Sequence, residues 1–265
     1  MTRKSNRPPK VAGEKPSSAT SAAPVERFPH EMASEHRPGL LPEENFRWRA
    51  GEITRLEAFS DVVFGFALTL LVISLEVPRS YAALMVDLQG LLPFAACFTL
   101  LVGVWRMHYI YSRRYGLEDS YSVFLNMALL FLVLFCVYPL KFVFTLLYSH
   151  LTGGDVGDDV SWHGALVLVQ LFFLGFASLL LLFTLMYAHA YKLRAKLGLN
   201  AVEVRKTRDA IEINGVGAAI GFLSLALAFK NPFWPAILSC LMGPLSFIHG
   251  VVAKRRIRRL LAGSA

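Results

Sequence analysis

Arg55, Ser60 and Asp61 place a cation, a hydroxyl and an anion at the start of an apolar run that extends to Val77. A charge at the middle of a bilayer costs about 2.5–3.5 kcal/mol, and less near a helix end, so such groups must face protein or water. Six residues turn a helix through about 600°, which puts Arg55 and Asp61 on different faces. Each is therefore expected to find partners on another helix. Trp105, Arg106 and His108, at the matching end of the second apolar run, are the candidates. The bland chemistry is an interhelical polar latch that offsets desolvation. The sharper one is a proton relay through Asp61 and His108.

Enzyme chemistry finds no footing. There is no phosphate-binding glycine loop, no His-Glu-x-x-His, no Gly-x-Ser-x-Gly and no Cys-x-x-Cys. The seven histidines are scattered, and His108 and His189 stand at span ends on different helices. Cys97, Cys136 and Cys240 fall within apolar runs at no metal-like spacing and read as small packing residues. We expect no enzyme activity, no bound metal and no cofactor.

The elements that hold these residues are membrane helices. With 55% apolar residues gathered into long blocks, the chain belongs to the membrane class. The fold expected is all-α, with six spans near residues 56–76, 88–110, 122–147, 163–190, 209–229 and 233–253. The third and fourth exceed what a bilayer needs, and Pro139 is a kink candidate in the third. Lys230-Asn231-Pro232 makes a tight turn between the last two. All lysines and arginines except Arg79, Lys141 and Lys230 fall in segments assigned to one side, which places both termini in the cytoplasm.

Residues 1–45, rich in Pro, Ser, Ala and charge, are expected to be a disordered cytoplasmic tail. Residues 46–253 form the transmembrane domain, opened by Phe46-Arg47-Trp48-Arg49 as an interfacial anchor. Residues 254–265 form a basic tail whose Lys254–Arg259 run suits anionic lipid rather than nucleic acid. In the fifth span, Gly217 and Gly221 make a smooth face for helix contact, within the subunit or between subunits.

The first span also carries Val62, Phe66, Thr69 and Ile73 at spacings of 4, 3 and 4, followed by Glu76 or Val77, all on one face. One hydroxyl among bulky apolar groups is either a pore lining or a packing face. One helix cannot enclose a channel, so a pore would require several copies around an axis.

Arg55-x-x-x-Phe59-Ser60-Asp61, then Val63-Phe64 and Thr69-Leu70-Leu71-Val72, resembles the opening helix of the transmembrane protein 175 family, the endosomal and lysosomal potassium channels and their prokaryotic relatives. Trp105-x-x-His108, and Asn126 with the leucine-rich run to Pro139, resemble the family's second and third spans. The resemblance covers residues 55–140 by motif and the remainder by span layout, as in a prokaryotic single-repeat member. It implies a homotetramer in a prokaryotic cytoplasmic membrane, with the first helices lining a potassium-conducting pore. The family's constriction and its polar ring then fall on Phe66, Thr69, Leu70 and Ile73. Phe66 replaces the usual isoleucine, and the preceding Gly65 leaves room for its ring to rotate aside, as a hydrophobic gate would. No Thr-Val-Gly-Tyr-Gly filter is present, so the expectation is modest selectivity for potassium. Partners implied are potassium ions, lipid and further copies of the chain, not nucleic acid. The alternatives are a proton leak along the same axis and a non-conducting membrane scaffold.

Overall fold

The computed structural model describes residues 46–73, 80–81, 90–152, 162–229 and 233–262. The N-terminal tail, the 153–161 connection, the 230–232 turn, Glu76 and Val77 lie outside these residues.

Six helices follow one another in the described chain: α1 (Arg55–Ile73), α2 (Leu91–Tyr115), α3 (Ser120–Thr152), α4 (Trp162–Lys192), α5 (Ala201–Ala228) and α6 (Phe233–Ala262). The first five are long and apolar enough to cross a membrane. α6 continues through the basic Lys254–Arg259 run to Ala262. The sixth expected span is thus a helix nine residues longer than expected, with an exposed basic end.

At about 1.5 Å per residue, the 19 residues of α1 measure roughly 28 Å, close to a hydrocarbon core. The 33 residues of α3 and 31 of α4 are longer than that core. α3 continues as a helix through Pro139.

α5 starts eight residues earlier than its apolar run suggests. Asn200 accepts from the Glu203 amide at 2.8 Å, and Glu203 accepts in return from the Asn200 amide at 3.0 Å. This reciprocal capping box fixes the helix start within a polar sequence, where hydropathy gives no signal.

α1 packs against α2 and α3; α3 packs also on α2 and α4, α4 on α5, and α5 on α6. The α4–α5 contact depends on small residues. A Cβ added at Gly221 would stand 2.8 Å from the Ala177 Cβ and 3.1 Å from its Cα. The glycine face of the fifth span is therefore used inside the subunit, which decides that alternative at Gly221. Where α2 ends, Gly116 takes a φ of +55° and its amide caps the Ser112 carbonyl at 2.9 Å. The Ala50 backbone lies 3.4 Å from where a Cβ would be, so position 116 favours glycine twice over.

Phe46–Arg49 is not a free interfacial anchor. Phe46 is buried edge-on against Tyr115, with ring centroids 5.7 Å apart. Arg49 pairs with Glu203 at 2.6 Å and donates to the carbonyls of Leu197 and Gly198. The Arg113 carbonyl accepts from the Arg49 amide at 3.1 Å. A short segment before α1 is thereby fastened to α2 and to the start of α5.

Candidate functional site

The first helix has two faces of opposite character. Glu57, Ser60, Phe64, Ala67 and Leu71 recur at spacings of 3, 4, 3 and 4 and are buried against the bundle. On the other side Val62 is 70% exposed, Phe66 55% and Ile73 69%, with Thr69 exposed among them. These are the residues of the apolar stripe, and among the described residues no neighbouring helix of the same chain covers them. Leu70 stands on the flank, half-buried against the core. The Thr69 hydroxyl donates to the Gly65 carbonyl at 3.0 Å, which satisfies its proton and leaves its lone pairs on the open face. A Cβ at Gly65 would meet nothing within 4 Å.

Polar groups gather at the start of α1, mostly on its buried face. The Ser60 hydroxyl donates to the Leu56 carbonyl at 2.8 Å and accepts from the Asn126 amide nitrogen at 2.9 Å. Asn126 Oδ1 lies 2.6 Å from His108 Nε2. One chain of hydrogen bonds thus runs from α1 through α3 to α2. The Phe64 ring tilts against His108, with centroids 5.7 Å apart. Separately, the Trp105 indole donates to Asp61 Oδ1 at 2.8 Å. Ser60, Asp61, Trp105 and His108 therefore meet as partners across helices. Arg55, Phe59 and Arg106 are exposed, and Arg55 has no bonded partner among the described residues, contrary to the expectation that it would pair with another helix.

The buried charge pair at this end is a different one. Glu57 Oε1 lies 3.1 Å from Arg113 Nε, with both side chains almost fully buried, although the two are not aligned as a hydrogen bond. The spacing of Glu57, Ser60 and Phe64 already puts this carboxylate on the buried face of α1, a signal that attention to Arg55 and Asp61 passes over. Arg113 lies 56 residues away, and only the folded packing of α1 on α2 selects it among several arginines.

Two further polar ties complete this end. The Tyr115 and Thr207 hydroxyls lie 2.7 Å apart, joining α2 to α5. Asp119, just before α3, accepts from the Ser122 hydroxyl at 2.7 Å and pairs with His189 of α4 at 3.0 Å. Burial alone would raise the Asp119 carboxyl, but the Ser122 hydroxyl and the His189 imidazole outweigh it and hold its pKa below the ordinary value. Farther along, Asp209, Glu212 and His249 bring ligand atoms within 4.8 Å of one another. Arg205 already bonds Asp209 at 2.5 Å and Glu212 at 3.1 Å, and Arg256 approaches Glu212 at 3.5 Å. Two guanidinium groups thus already pair with these carboxylates.

The sequence and fold of this chain have counterparts among known proteins. The sequence profile described as the endosomal/lysosomal potassium channel TMEM175 matches residues 55–139. A protein of Marivirga tractuosa described as a potassium channel is 37% identical over 239 residues, which span 84% of this chain and 96% of that protein. The chain belongs to the TMEM175 family. A crystal structure of a variant of the potassium channel MtTMEM175, bound to a nanobody–MBP fusion, shares 32% identity and a TM-score of 0.66, covering 84% of this chain and all of that one. The TMEM175 homolog of Chamaesiphon minutus, described as a lysosomal potassium-selective channel, has the same fold at 21% identity and a TM-score of 0.51, over 75% of this chain and 96% of its own. The profile match begins at Arg55 and ends at Pro139, so it takes in the whole Ser60–Asn126–His108 chain and the Asp61–Trp105 pair.

Proposed function

We propose that this TMEM175-family protein is a subunit of a potassium channel, a homotetramer whose pore is lined by the open face of α1. The observation that carries this reading is the exposure of Val62, Phe66, Thr69 and Ile73 on a helix whose opposite face is fully engaged. A central axis shared by four copies would cover that stripe, and the family's curated relative is described as a potassium channel. Phe66 forms the narrowest ring, a hydrophobic constriction that conducts when wetted. Thr69 supplies a ring of oxygen lone pairs one turn further on, with Leu70 and Ile73 completing the apolar wall. Discrimination by width and partial dehydration gives modest selectivity over sodium.

Ser60, Asp61, Trp105 and His108 serve structure: they set the orientation of the pore helix at the cytoplasmic entrance, where Arg55 and Phe59 stand exposed. Both termini lie in the cytoplasm of a prokaryotic cell, by the distribution of lysine and arginine. Residues 1–45 and 254–265 flank the channel domain as cytoplasmic tails, and no cofactor takes part.

Potassium-loaded liposomes diluted into sodium buffer test the reading. Phe66→Ala is expected to raise potassium flux by tenfold or more over the unsubstituted protein at equal assembly. Unchanged flux would remove Phe66 from the constriction, proton flux alone would favour a leak, and silence in both proteins would favour a scaffold.

A further inference from the structure

Behind the pore helix, a cavity of about 20 Å³ lies between the start of α1, the end of α2 and the start of α3. Glu57, His108, Tyr111, Ser122 and Asn126 are among its lining residues. Two atoms of these residues, Glu57 Oε2 and His108 Nδ1, are sealed from solvent and make no hydrogen bond among the described residues. Both side chains are more than nine-tenths buried, at 3% and 2% exposure.

The hydrogen-bond chain on α1 fixes what these atoms need. Ser60 spends its proton on the Leu56 carbonyl, so its oxygen receives the Asn126 amide N–H. The remaining amide atom, Asn126 Oδ1, only accepts, and His108 Nε2 must therefore be the donor across 2.6 Å. A neutral imidazole with its proton on Nε2 leaves Nδ1 as a bare acceptor. Glu57 Oε2 is an acceptor as well. Two buried acceptors whose residues line one cavity are thus left without a bonded donor among the described residues, although the Thr54 and Ser112 hydroxyls line it too; native proteins satisfy such acceptors with ordered water.

We propose that this cavity holds one internal water, which donates one proton to His108 Nδ1 and the other to Glu57 Oε2. Water is the smallest molecule with two donors, and a single molecule needs only about 10–15 Å³ of such space. It joins the Glu57–Arg113 ion pair to the Ser60–Asn126–His108 chain. The inner face of α1 is then held by one continuous network reaching α2 and α3. The inference concerns this chain's own polar groups and stands whether or not the protein conducts.

Solid-state NMR of histidine-labelled protein in liposomes tests it directly, with the His108 ring assigned through its backbone. The expected result is an Nε2–H tautomer with Nδ1 unprotonated, together with magnetisation transfer to the ring from a water retained inside the protein. The double substitution Glu57→Met with Arg113→Met, which removes one acceptor without leaving a buried charge unpaired, is expected to abolish that transfer. An Nδ1–H tautomer or an imidazolium overturns the proposal, since His108 would then donate toward Glu57 itself. An Nε2–H tautomer with no water transfer in the unsubstituted protein overturns it equally.

Discussion

The two faces of α1 obey different rules although they share the same turns of helix. The buried face begins polar, with Glu57 and Ser60, and becomes purely apolar at Phe64, Ala67 and Leu71. The open face carries Val62, Phe66 and Ile73 with a single hydroxyl, Thr69, whose proton is already taken by its own helix. In a water-soluble protein the polar groups of a helix would mostly face outward. Here the groups that need partners turn inward, where Asn126, His108 and Arg113 meet them. One face fixes the helix, and the other is left free for something that makes few specific bonds.

Substitutions on each face should separate these roles. The largest effect belongs to the buried pair: Glu57→Ala leaves Arg113 charged and unpaired, at a cost of about 3–5 kcal/mol in stability. Thermal denaturation in detergent should show a strongly lowered Tm or loss of assembly. The double substitution Glu57→Met with Arg113→Met should recover much of that loss, because no uncompensated charge remains. A double variant as unstable as the single one would mean that the ion pair is not what the site requires.

Two glycines give a second contrast at intermediate size. Gly221→Ala pushes a methyl into Ala177 and is expected to cost about 1–3 kcal/mol by overpacking α4 against α5. Gly65→Ala meets nothing and should gain about 0.5–1 kcal/mol of helix stability. If the open face lines a pore, that same stabilising methyl should lower potassium flux by limiting how far the Phe66 ring can swing. Higher Tm with unchanged flux would leave Gly65 with a purely local role.

The smallest effect is expected at Asp61, whose exposed carboxylate accepts one indole bond from Trp105. Asp61→Asn retains an acceptor and should change Tm by less than about 1 kcal/mol in equivalent stability. Potassium-to-sodium preference should stay unchanged in the assembled protein. A shift in ion preference would assign Asp61 to the permeation path instead of the anchor.

Much of this was legible from the chain alone, for reasons that differ by element. Long apolar runs give the first five helices because length and hydropathy are local properties. The open stripe on α1 follows from spacing, and Asp61 with Trp105 follows from placing polar groups at matching helix ends. Glu57 with Arg113 did not follow, since selecting one arginine among several requires the packing of α1 on α2. The early start of α5 was written as Asn200-x-x-Glu203, a capping signal that hydropathy overlooks. Phe46 and Arg49 look like membrane-interface residues until the Asn200–Glu203 cap supplies a carboxylate for Arg49. Asn126 stood out only through the family motif, whereas its place between Ser60 and His108 emerges from three helices together.

The central claim is that the open face of α1, and not its buried face, borders a water-filled path. Cysteine substitution in a background lacking Cys97, Cys136 and Cys240, followed by a charged thiol reagent during flux recording, tests this most directly. Phe66→Cys and Thr69→Cys should be modified and their potassium flux blocked, while Ala67→Cys and Leu71→Cys should be unaffected. Block at positions 67 and 71, with positions 66 and 69 silent, would contradict the account and turn the helix the other way round.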